Sequence, residues 1–90
     1  MFLGRVVGTV WATRKDEKLD GLKFQIVKKV DDQLALKSDF TVAVDSVGAG
    51  PGELVLCAAG SSARMTAITE NKPVDAVIMA IVDEVDLPHS

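Results

Sequence analysis

The chain has few of the residues that small proteins use for chemistry. Among its 90 residues there is one cysteine, Cys57, and one histidine, His89. A lone cysteine closes no internal disulfide. One Cys, one His and scattered carboxylates also fall short of the three or four convergent ligands that a metal site requires. No metal or other cofactor is expected. Tyrosine is absent, and Phe2, Trp11, Phe24 and Phe40 are the whole aromatic set, too sparse for the stacking platforms of single-strand nucleic-acid binders. The densest basic pair is Lys28-Lys29 in a chain of formal charge -3, which argues against a phosphate backbone as partner. No run approaches the roughly 18–20 apolar residues of a membrane span, and Met1-Phe2-Leu3-Gly4-Arg5 lacks a signal peptide's apolar stretch. The expectation is a cytoplasmic protein with neither nucleic-acid nor membrane partners.

Catalysis is equally poorly provided for. Asp45, Ser61, Ser62 and His89 are the residue types of a hydrolase triad, but His89 stands one residue from the end of the sequence, where nothing holds its ring. No catalytic residue is assigned, and the chain does not read as an enzyme.

What the chain does have is apolar residues, 48% of the total, with a mean hydropathy of +0.24. The length gives one domain, residues 1–90, because two halves would each be too small to hold a core. Such a domain buries only about 60–65% of its unfolded surface, so apolar surface left over points to cover by partners.

The pattern is mostly β. Residues 2–13 alternate as a long first strand, with Val6, Gly8, Val10 and Ala12 on one face; Gly4 and Gly8 suit a strongly bent strand. The polar stretch 14–21 reads as a solvated loop. In the next strand, Leu22, Phe24 and Ile26 are assigned inward and Lys23 and Gln25 outward. Asp31-Asp32 marks a turn, and 33–37 is a short strand or connector. Residues 40–47 form a buried strand, and 53–58 another, joined as a hairpin through Gly50-Pro51-Gly52. Cys57 sits in that strand as a small buried residue. A short α-helix is expected over 62–71, capped by Ser61 or Ser62, and a buried strand over 74–83. The tail from Asp86 to Ser90 reads as loose. These elements make an all-β, small OB-like five-stranded β-barrel with one short α-helix.

Two small-residue segments do not read as ordinary core. In the first, 42–53, Gly48, Ala49, Gly50, Pro51 and Gly52 follow an apolar run, so the backbone turns tightly or lets another backbone approach. A phosphate cradle fits poorly there: no Lys-Ser or Lys-Thr follows, and Glu53 repels an anion. In the second, Gly60-Ser61-Ser62-Ala63-Arg64, a lone cation stands among small residues. Arg64 is either a solvated charge or the partner, across a subunit boundary, of a carboxylate such as Asp45 or Asp83. Trp11, ending the first strand, fits a core or an interface.

The motifs Gly8-Thr9-Val10-Trp11-Ala12-Thr13-Arg14-Lys15, Leu19-Asp20-Gly21, Ala43-Val44-Asp45-Ser46-Val47-Gly48-Ala49-Gly50, Gly52-Glu53, Gly60-Ser61-Ser62-Ala63-Arg64 and Pro73-Val74-Asp75-Ala76 occur in order from Gly4 to Asp83. Together they resemble the EutN/CcmL family of bacterial microcompartment vertex proteins. The resemblance implies an OB-like barrel, a homopentamer and a structural role at the vertices of a polyhedral shell otherwise tiled by hexameric shell proteins. It also makes Trp11, Asp45, Gly48, Ala49, Gly50, Gly60, Ser61, Ser62 and Arg64 candidates for the subunit interface or the five-fold axis. The competing class is a stand-alone OB-type binding module for a small ligand or nucleic acid.

Overall fold

A computed structural model describes residues 1–87. Five strands are formed: β1 (Phe2–Val10), β2 (Phe24–Val30), β3 (Leu36–Asp45), β4 (Leu54–Ala59) and β5 (Ala76–Ile81). They close into a barrel in the order β1-β2-β3-β5-β4. All neighbours are antiparallel except β3 and β5, which run parallel through Val44–Val77 and Asp45–Ile78.

The expected hairpin between the strands flanking Gly50-Pro51-Gly52 does not form. β4 pairs with β1 and β5, and β5 lies between β4 and β3. The glycine segment is therefore a crossing over the barrel end rather than a two-strand turn. Closure needs sharp curvature, which the two glycines of β1 allow. A methyl group on Gly4 would overlap Val27 Cγ1 and lie 2.9 Å from the Lys28 carbonyl oxygen, so the bare backbone lets β1 and β2 close up. Between Val6 and Gly8 the β1–β2 register slips, a bulge that bends the strand and reverses its facing. Past the bulge it is Thr9 that reaches the buried Gln25, not Gly8, Val10 and Ala12 continuing the face of Val6. The strand ends at Val10 rather than residue 13.

The apolar residues form two layers. Val6, Val27, Ala43, Ala49, Val55, Cys57, Ala76 and Ile78 fill the barrel interior. On the outer face, Val44, Val77 and Ala58 form a row across β3, β5 and β4, sealed by Ala63 and Val74 and flanked by Leu19, Leu22 and Phe24. This second layer corrects the facing of β2. Gln25 and Val27 point inward, both fully buried, while Leu22, Phe24 and Ile26 are only half-buried. Both faces of this sheet carry apolar residues, so alternation alone chose the wrong one.

The predicted α-helix over 62–71 is also absent. Among the described residues, the helical elements are two 3₁₀ turns, Glu17–Leu19 within the polar loop and Gly60–Arg64. Ala59 stands at the cap position of the second, and no side chain caps it, so neither Ser61 nor Ser62 does so. So short a segment has little intrinsic helical stability. Its threonines also bond locally: the Thr66 and Thr69 hydroxyls pair, and the Thr69 amide donates to Thr66 Oγ1 at 3.2 Å, diverting the backbone from a helix. Asn71 then takes a left-handed conformation, φ 59°. Of the tail, Pro88, His89 and Ser90 lie outside the described residues, and so does the reading of His89.

Candidate functional site

The first small-residue segment is organised by one carboxylate. Asp45 ends β3 in a buried position, and its Oδ1 accepts the backbone N–H groups of Val47, Gly48 and Ala49 at 3.0, 2.9 and 3.2 Å. Within this wrap of three successive amides Gly48 is left-handed, φ 77°, a conformation glycine adopts without steric cost. Burial pushes the Asp45 carboxyl up, but the hydrogen bonds from Val47, Ala49, Gln25 and Gly48 outweigh it and hold the group below its ordinary value.

Gln25 continues the network inward. Its amide nitrogen donates to the Ala49 carbonyl at 2.8 Å and to Asp45 Oδ2 at 3.4 Å, and its oxygen accepts from Thr9 Oγ1 at 2.7 Å. The fully buried amide is thus satisfied, as a low-dielectric interior demands, and it joins β1, β2 and β3 to the loop. Farther along, Glu53 Oε1 accepts the Gly50 amide at 2.7 Å, and the Gly52 amide donates to the Val6 carbonyl at 2.7 Å. The Arg5 guanidinium donates to the Gly52 carbonyl at 2.8 Å. The amides that make glycine loops into phosphate cradles are here taken up by the protein's own acceptors.

The second segment is held more sparsely. The Gly60 amide donates to the Asp75 carbonyl at 2.8 Å, and Ala63 plugs the outer apolar layer. Gly60, Ser61, Ser62 and Arg64 are exposed, as is the neighbouring Met65. Arg64 donates through Nη1 to the Val74 carbonyl at 3.3 Å; among the described residues it pairs with neither Asp45 nor Asp83. Trp11 is 86% exposed, which excludes a core role within the single chain. It lines an open cavity of about 330 Å³ with Thr9, Leu22 and Phe24. Cys57 is fully buried, and burial pushes its thiol up to about 12, against a smaller opposing pull from the chain's N-terminal ammonium.

The structure brings Asp45, Gly48, Ala49 and Gly50 together in one loop, and Gly60, Ser61, Ser62 and Arg64 in one exposed turn. Trp11 lies at the end of β1. Sequence reasoning missed Gln25, Thr9 and the cap formed by Glu53. A glutamine amid apolar alternation was the available signal for Gln25.

The family model described as Ethanolamine utilisation protein EutN/carboxysome matches residues 1–83. The chain belongs to the EutN/CcmL family. All the candidate positions fall within that match. The bacterial microcompartment shell vertex protein GrpN of Rhodospirillum rubrum is 42% identical over 96% of this chain and 97% of its own length. Its structure, described as a pentameric microcompartment shell protein, superposes with a TM-score of 0.88 over 97% of this chain and 99% of that one. CcmL of Gloeobacter violaceus gives a TM-score of 0.94 at 41% identity, covering 98% of this chain and 91% of that one. The microcompartment shell vertex protein PduN of Salmonella typhimurium is 45% identical, covering 92% of this chain and 96% of PduN.

Proposed function

We propose that five copies of this EutN/CcmL-family chain form a ring that closes the vertices of a bacterial microcompartment shell. The observation that carries the reading is the agreement, over nearly the full length of both chains, with a pentameric microcompartment shell protein. The role is geometric. A sheet of hexagonal tiles is flat, and closing it into a polyhedron requires five-fold positions, which a cyclic head-to-tail contact supplies. The other partners are the hexameric tiles around each vertex. The work is mechanical, and no residue is assigned to catalysis or to a cofactor.

In such a ring each copy presents two different patches to its neighbours. Gly48, Ala49 and Gly50 let backbones converge near the axis, and Asp45 fixes the shape of that loop. Gly60, Ser61, Ser62 and Arg64 supply an exposed small-residue surface, in which Arg64 has further N–H donors for a carboxylate of the adjacent copy. Trp11 supplies a large apolar side chain at a boundary with another chain. Charge favours this assignment: five chains of formal charge -3 sum to about -15, and the Asp45 carboxylate near the small-residue loop is compensated internally by four N–H donors. Mixing the protein with a hexameric shell protein tests the role. Closed particles visible by electron microscopy are expected with both components; open sheets or tubes with and without this protein would refute it.

A further inference from the structure

Part of the barrel's outer surface carries apolar side chains that this chain leaves uncovered. β3 is paired with β2 from Phe40 to Val44 and again at Leu36, but with β5 only at Val44 and Asp45, so before Val44 its other edge is open. On this stretch Leu36 and Phe40 are 54% and 61% exposed, and Val42 is exposed as well. Phe40 and Val42 share a face by the two-residue period of a strand, and Leu36 lies beyond a register shift, where pairing with β2 resumes opposite Val30. That face continues to Val44, where the chain's own Ala63 and Val74 seal it, so the covering layer stops part-way along one apolar strip. Open apolar edges are a liability that proteins cover.

A second uncovered strip has the opposite charge beside it. β5 runs beyond its last contact with β3 at Ile78, and Met79 and Ile81 are exposed there. Asp83 and Glu84 follow. Beside the β3 strip are Lys28, directly opposite Phe40, and Lys37, adjacent to Leu36. None of these four charges makes an ion pair among the described residues. Because β3 and β5 are parallel and meet only at Val44–Asp45, Phe40 and Ile81 are eight residue steps apart along the strand direction, roughly 25 Å. The strips therefore cannot meet within one chain.

We propose that the β3 strip of one copy receives the β5 end of the next, apolar against apolar, with Lys28 and Lys37 facing Asp83 and Glu84. The pairing is head-to-tail, as a cyclic ring requires, and it rests on the ring reading given above. It is tested by native mass spectrometry on charge reversals at exposed or half-buried sites. The variant Lys28→Glu/Lys37→Glu and the variant Asp83→Lys/Glu84→Lys are each expected to lose the pentamer at ionic strength near 0.1 M, where screening is incomplete. The variant carrying all four substitutions is expected to regain it. Phe40→Asp is expected to give a monomer with an unchanged circular dichroism spectrum. Pentamers in both charge-reversed variants, or no recovery in the fourfold variant, would overturn the proposal. A wild-type chain that forms no ring would instead overturn the ring reading itself.

Discussion

The two small-residue segments read alike in the sequence and are built differently. The 45–50 loop is locked by a buried carboxylate, a buried amide and a returning glutamate, each with its donors in place. The Gly60–Arg64 turn is held by main-chain bonds, by Ala63 and by one Arg64 bond to the Val74 carbonyl, and its serines cap nothing. The first segment therefore has a shape set by its own chain, and the second presents exposed side chains of which only Arg64 is tied among the described residues, through one bond to Val74. In the ring proposed above these are complementary assignments: the first segment is the candidate for close backbone approach, the second for an adaptable polar contact.

The contrast is broken most severely at Asp45. Asp45→Ala leaves three backbone N–H groups without their acceptor and takes from Gln25 the longer of its two amide bonds, at a cost of about 3 kcal/mol in urea unfolding at fixed protein concentration, since hydrogen bonds to charged groups are the strong ones. Acid acts on the same group. The Asp45 carboxyl is held below its ordinary value in the folded chain, so its contribution is complete above the unfolded-state value and is lost as pH falls through the depressed one. Backbone NMR should therefore show the amides of Val47, Gly48 and Ala49 shifting together at a pH below the ordinary aspartate range, with Ser61 and Ser62 unmoved by that step. Titration of the three amides at or above the ordinary value would contradict the assignment.

A smaller effect compares the backbones alone. Gly48 and Gly60 are both left-handed, φ 77° and 65°, with nothing within 4 Å of an added methyl group. Gly48→Ala and Gly60→Ala should thus each cost about 1–2 kcal/mol from the strained conformation alone. If the monomer stabilities match but only one variant loses the ring, that segment lies at the closer backbone approach. Arg64→Ala should leave unfolding within about 0.5 kcal/mol while weakening the ring in a dilution series followed by light scattering; an unchanged dissociation profile would remove Arg64 from the interface. The smallest effect belongs to Ser61→Ala with Ser62→Ala, within about 0.5 kcal/mol in the same unfolding experiment, because no cap is lost.

The barrel was legible wherever a strand showed one apolar face or a clear terminator. β4 begins one residue from its predicted start, and the curvature assigned to Gly4 and Gly8 is realised as a close approach and a bulge. Reading failed where apolar residues served two layers. Leu22 and Phe24 belong to the outer layer, so Gln25 looked solvent-facing although it is the buried hub of the polar network. The strand order was hidden because a Gly-Pro-Gly turn looks the same between paired strands and between strands separated by a third. The helix was over-read because the hydroxyls of Thr66 and Thr69 satisfy each other and the local backbone. The candidate positions other than Trp11 fall in two compact groups, and the sequence did not separate the inward-facing Asp45 from the outward-facing Arg64, because a charged residue beside glycines and serines reads the same in either place.

The most direct test is the native mass of the purified protein. For a 9.6 kDa chain, a closed five-membered ring has a mass of about 48 kDa, and the account predicts that single species by native mass spectrometry or light scattering. A chain that remains monomeric at 9.6 kDa at high concentration would contradict it.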